Sequence, residues 1–140
     1  MITNQRQYLV AQAQAERFRQ ALAVPDAQGL HPKAVKAMRA GLHSQLDDLD
    51  AEVAEYDTLR HGQITSLEAE SIVGIGAALI KARIMRNLTQ KELAERLQLA
   101  EQQAQRYEST QYHGVAAERL QQVADALRLS VREVFTLKPG

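Results

Sequence analysis

The sequence predicts an all-α protein in two parts, a long helical hairpin followed by a cluster of short helices. Three observations carry this. Ala, Gln, Leu, Glu and Arg dominate, and all lose little freedom in a helix. β-Branched residues nowhere alternate with polar ones, so no strand is expected. Apolar positions recur in steps of three and four, in two long segments up to Arg60 and in blocks of about ten residues from Ile75 onward. With 45% apolar and 24% charged residues, the chain is globular in composition rather than disordered.

The first element is expected over Thr3–Val24, with Tyr8, Ala11, Ala15, Phe18 and Leu22 on one stripe. Thr3 and Asn4 are suited to its N-cap, and Pro25 stops it by Val24. A loop rich in Pro, Gly and Asp follows at 25–32. The second element is a long helix over Lys33–Arg60. Its seam is Val35, Met38, Leu42, Leu46, Leu49, Val53, Tyr56 and Leu59, a dimer or partner surface. Such a helix is about 42 Å long. The first helix folds back on it and covers about two-thirds of the seam, which leaves the remainder for a second chain. Residues 1–62 thus form a helical hairpin for dimerisation or partner binding. Between His61 and Ser66 the pattern breaks, and Thr65 with Glu68 reads as a capping box for the next helical piece.

The second part spans 72–136. Its first helix is expected over Ala77–Arg86, with Ile80 and Ile84 inward. Thr89 and Glu92 form a capping box before Leu93, Ala94 and Leu97. Gln98-Leu99 is a turn, and a third helix over Glu101–Ser109 is anchored by Ala104 and Tyr107. A fourth runs over 116–129 with Leu120, Val123, Ala124 and Leu127 inward, and a turn at Val131–Phe135 closes the part.

Composition excludes several classes of function. The chain has no cysteine, which removes disulfides, thiolate catalysis and cysteine-bound zinc and suits a reducing cytoplasm. No apolar run approaches the roughly 18 residues of a membrane span. The first ten residues lack the basic start and apolar stretch of a secretory signal. His31, His43, His61 and His113 have no metal spacing. The acidic run 47–52 lacks the glycine and terminal glutamate of a calcium loop and reads as a solvated helix face. Gly74-x-Gly76 is not preceded by a strand, so it is not a nucleotide loop. No serine stands in a nucleophile elbow. No catalytic constellation, metal site or cofactor is expected.

The second part resembles a known family. Leu88-Thr89-Gln90-Lys91-Glu92-Leu93-Ala94-Glu95-Arg96-Leu97 is similar to the second helix of lambda-repressor-like (Cro/cI-type, Xre) helix-turn-helix regulators. Gln105-Arg106-Tyr107-Glu108 resembles the end of their third helix, and residues 120–131 resemble their fourth helix and exit. The likeness covers about 60 residues in order and without insertions. It implies a four- to five-helix DNA-binding domain behind the hairpin. The N-terminal half resembles the helical arm of antitoxin-type regulators that carry the same module.

The resemblance implies that the helix beginning near Glu101 enters the major groove. Its outward positions are Glu101, Gln102, Gln105 and Arg106, with Gln103 to one side. Glutamine pairs with adenine, arginine with guanine, and glutamate accepts from cytosine, so these five are the expected base readers. The expected phosphate contacts are Thr89, Gln90, Lys91, Arg86, Tyr112 and His113. Glu108 is expected to bond within the domain, to a basic residue near the second helix of this part. Lys81, Arg83, Arg86, Lys91 and Arg96 outnumber Glu92 and Glu95, a local +3 in a chain of net charge zero. Gln98 replaces the usual turn glycine, which implies a strained left-handed residue. Ala100 replaces the usual Ser or Thr cap. The implied partners are operator DNA, a second copy of the chain, and a toxin if the antitoxin likeness holds. Two functions stay open: a sequence-specific regulator, most simply an autorepressor, and a protein-interaction module whose helix-turn-helix no longer binds DNA.

Overall fold

The computed structural model describes every residue except Ala27, which falls inside the expected loop at 25–32. Among the described residues there are six α-helices and one short 3-10 turn, with no strand. They form two compact units, residues 1–65 and 66–140.

The first unit is an antiparallel hairpin of α1 (Gln5–Ala23) and α2 (Pro32–His61). Asn4 starts α1 by accepting from the Gln7 amide at 2.8 Å. His31 starts α2 through Nδ1, which accepts from the Lys33 amide at 3.1 Å, with Pro32 in the first turn. Arg39 of α2 reaches the end of α1 and donates to the Leu22 carbonyl at 2.6 Å, where the helix dipole favours a cation. At the opposite end the Tyr8 and Tyr56 rings lie 5.0 Å apart. The Tyr8 hydroxyl donates to Asp57 at 2.8 Å, a bond that raises the phenol pKa.

Of the expected seam, Val35, Leu46, Tyr56 and Leu59 are buried in the chain, and Leu42, Leu49 and Val53 are half-buried. Met38 is 57% exposed, so α1 leaves this seam position uncovered. On the far side of α2, Gly41 is exposed with nothing within 4 Å of where a Cβ would stand. Mid-helix glycine costs about 1 kcal/mol relative to alanine, and no contact in this unit rewards it.

The second unit contains the 3-10 turn Ile72–Gly74, then α3 (Ile75–Met85), α4 (Gln90–Leu97), α5 (Glu101–Ser109) and α6 (Ala117–Ala126). Its core is Leu79, Ile80, Ile84, Leu93, Ala104, Val123 and Leu127. The expected Thr65–Glu68 capping box starts no helix, because residues 64–70 have no apolar stripe to bury and an isolated turn is not stable. Ser71 caps instead, its hydroxyl accepting from the Gly74 amide at 3.2 Å. The last helix ends at Ala126, and no regular turn forms at 131–135.

All four helices of this unit stop in the same way. An amide one or two residues past each helix cap bonds a carbonyl five residues back: Leu88 to Arg83, Leu99 to Ala94, Tyr112 to Tyr107 and Leu129 to Ala124, at 2.7–3.1 Å. The residue before each is left-handed: Asn87, Gln98, Gln111 and Arg128, with φ of 52–56°. This is the Schellman arrangement, whose apolar residue after the left-handed one folds back onto the helix. Here that residue is Leu88, Leu99, Tyr112 or Leu129, each buried or half-buried. The left-handed position is a glycine in none of the four, so each stop is held by its apolar anchor against backbone strain.

Gly76 also has a structural role. A Cβ there would lie 1.8 Å from the Gln111 carbonyl oxygen and 3.1 Å from Tyr112 Cβ. The first turn of α3 is thus pressed against the backbone that leaves α5. Gly76→Ala is expected to destabilise the second unit by about 2–3 kcal/mol, since backbone rather than a flexible side chain must move. Denaturant unfolding monitored by circular dichroism measures the loss.

Candidate nucleic-acid interface

The α4–turn–α5 segment is built by local rules. Thr89 caps α4 with a reciprocal box: its hydroxyl accepts from the Glu92 amide at 3.1 Å, and Glu92 Oε1 accepts from the Thr89 amide at 3.4 Å. Gln98, at φ 56° and ψ 42°, turns the chain, and Leu99 anchors the turn. Ala100 precedes α5 and offers no side-chain cap, as its residue type implies.

Helix α5 has two unlike faces. Ala104 and Glu108 are buried, whereas Glu101, Gln102, Gln105 and Arg106 are exposed and Gln103 is half-buried. The exposed side chains engage each other only weakly, Gln105 with Glu101 at 3.4 Å and Arg106 with Gln103 at 3.5 Å. Their donors and acceptors remain directed to solvent.

A buried ion pair fixes the inner face. Arg83 of α3 is 2% exposed and Glu108 is 3% exposed. Their contact is bidentate, Arg83 Nε donating to Oε2 at 2.6 Å and Nη2 to Oε1 at 2.7 Å. Arg83 Nη1 also donates to the Leu88 carbonyl at 2.7 Å, and Gln90 Nε2 donates to Glu108 Oε1 at 3.0 Å. One carboxylate thus ties α3, the 86–89 turn and the start of α4 to α5. Glu108 does bond a basic residue within the domain, but that residue lies on α3 rather than near α4.

Of the six expected phosphate contacts, Arg86, Tyr112, Thr89 and Gln90 have side chains engaged within the domain. Arg86 donates to the carbonyls of Leu127 and Arg128, both at 2.9 Å, so its guanidinium is engaged at the end of α6. Tyr112 is 4% exposed and its ring stacks 5.6 Å from that of Tyr107. Burial and the nearby Glu108 raise its phenol pKa. The left-handed Gln111 swings Tyr112 inward as the apolar anchor of α5, which takes it off the surface. Lys91 and His113 are exposed, and their side chains make no hydrogen bond or ion pair among the described residues. Thr89 is engaged in its box, and Gln90 gives its side chain to Glu108.

The basic cluster at 81–96 is therefore weaker than its count suggests. Arg83 is neutralised in the core. Arg86 and Arg96 both serve the α6 terminus, Arg96 donating to the Ala126 carbonyl at 2.8 Å. Sequence reasoning missed these roles because the partners lie 25–42 residues away.

Residues 79–134 match the family model described as helix-turn-helix. This segment is a helix-turn-helix domain of the lambda-repressor-like kind. Neither a curated protein nor a solved structure was found to match the chain. The family is one of DNA-binding transcription regulators, and α5 is the second helix of the motif. No described helix is long and apolar enough to cross a membrane.

Two predictions concern the architecture of this domain. Glu108→Leu leaves Arg83 buried without its carboxylate and is expected to cost about 3–5 kcal/mol, most of it recovered by the double variant Arg83→Met/Glu108→Leu. A double-mutant cycle from urea unfolding measures both. Gln98→Gly relieves a left-handed side chain and is expected to stabilise the domain by about 0.5–1 kcal/mol, read from the unfolding midpoint.

Proposed function

We propose that the protein is a sequence-specific transcriptional regulator that acts as a dimer and represses its own gene. The observation that carries this reading is the outer face of α5, where Glu101, Gln102, Gln105 and Arg106 are exposed on a short helix braced from behind. In the major groove those side chains, with Gln103 at the edge, supply donors and acceptors for base edges. Lys91, His113 and the amides at the start of α4 hold phosphates and set the register. Two such domains on one duplex read half-sites about one helical turn apart. Occupancy of the operator excludes transcription.

The antitoxin role is a refinement of this reading and rests on the likeness of the N-terminal arm. Copurification of a second protein from the native operon supports it, and isolation of the chain alone favours a stand-alone repressor. A different reading, an interaction module without DNA, is favoured by one observation: Arg83, Arg86 and Arg96, among the five cations in 81–96, bond within the domain.

Footprinting on the DNA upstream of the chain's own gene at low salt decides between them. A protected pseudo-palindrome supports the regulator, and no protection at any site favours the interaction module. Selection of bound duplexes from a random pool then assigns roles. Arg106→Ala is expected to relax preference at one position and to cost about 1–3 kcal/mol, whereas Lys91→Ala weakens all duplexes alike and lowers the salt slope by about one. Equal loss on selected and random DNA would remove Arg106 from base reading.

A further inference from the structure

Helices α4 and α5 are joined at one end by the turn at 98–100, and they meet again at the other through Gln90 and Glu108. Gln90 is seven positions from Leu97 and Glu108 seven from Glu101, a span of about 11 Å in each helix. Gln90 is half-buried, and its Nε2 donates at 3.0 Å to Oε1 of Glu108, which is 3% exposed. Arg83 holds the same carboxylate from α3. The Gln90 bond therefore closes the open side of the helix pair, where any widening becomes a rotation of α5 about the turn. It also joins the two surfaces that a duplex meets. On one side are Lys91 and the first amides of α4, which precede its first intrahelical bond. On the other is the exposed face of α5 with Gln105 and Arg106.

We propose that Gln90 is a positioning residue for base reading and not a phosphate ligand. Its bond to Glu108 fixes the angle between α4 and α5, and with it the register between the phosphate grip and the base-reading side chains. The inference rests on the DNA-binding reading above and assigns one residue a role within it. The carboxamide's one nitrogen is drawn inward by a buried carboxylate, and its oxygen, an acceptor, gives a phosphate nothing to bind. The two roles differ in what they do to affinity. Random duplex is held through phosphates, whereas a selected duplex needs phosphate and base contacts satisfied at once. Loss of the tie is therefore felt on the selected duplex and spares the random one. Rotation about the turn moves each reader in proportion to its distance from it. Gln105 and Arg106 thus shift more than Glu101 and Gln102.

The test compares Gln90→Met, which keeps the side-chain length without the donor, and Gln90→Lys, which keeps a donor for Glu108. Affinities of the full chain for a selected and a random duplex are measured by fluorescence anisotropy at one salt concentration, with urea unfolding to establish that each variant is folded. Gln90→Met is expected to lower the ratio of selected to random affinity by about five- to tenfold, with random-duplex affinity within about twofold of wild type. Selection from a random pool should then show preference lost at the positions read by Gln105 and Arg106 and kept at those read by Glu101 and Gln102. Gln90→Lys is expected to keep the ratio, while its added cation raises both affinities alike. Equal loss on both duplexes in Gln90→Met marks a phosphate contact and overturns the proposal. So does a Gln90→Met ratio equal to that of wild type, or a Gln90→Lys ratio as low as that of Gln90→Met. A wild-type chain that binds no duplex removes the DNA reading itself, and this role with it.

Discussion

The buried pair between Arg83 and Glu108 is the constraint on which the presented surface depends. A charge taken out of water is tolerated only when its partner is placed within hydrogen-bond geometry, so the pair allows one arrangement of α3 against α5 and penalises the rest. Gln90 and the Leu88 carbonyl complete the coordination, which extends the constraint to the start of α4. The orientation of the Glu101–Arg106 face is thus set by side chains on its opposite face. The role of the pair is specificity of packing more than stability, since apolar replacement of both members would leave much of the stability intact.

The second constraint lies in the chain reversals. Four successive helices end in left-handed residues that are not glycine, and each reversal is followed by Leu88, Leu99, Tyr112 or Leu129 folding back on its helix. The apolar anchor, and not the turn residue, fixes where the helix stops. The same device removes Tyr112 from the surface, which joins the fold to the interface. A residue that ends α5 by burial cannot also reach a phosphate.

Much of this was legible in the sequence. Helix α5 follows from its polar and apolar spacing, and the box at Thr89 and Glu92 is a local signal that local geometry satisfies. The helix starts at Asn4 and Pro32 follow from the same local chemistry. The readings that needed revision concern residues whose partners are remote. Arg86 looks like a surface cation because its acceptors are backbone carbonyls of α6, which have no signature in side-chain types. Thr65 and Glu68 carry the letters of a cap but precede no stripe worth burying, and capping alone does not nucleate a helix.

On the proposed reading, charge distribution gives each unit its share of the function. A domain that uses Arg83, Arg86 and Arg96 inside itself offers few cations to a phosphate backbone, and each phosphate neutralised contributes its share of affinity through counterion release. On the proposed reading one such domain binds weakly, and its discrimination between bases exceeds its hold on the duplex. Joining two domains converts the second engagement into an intramolecular step, which raises affinity without any new cation. On this reading, in a chain of net charge zero, self-association supplies the strength that the helix-turn-helix domain, with its arginines engaged in its own architecture, does not.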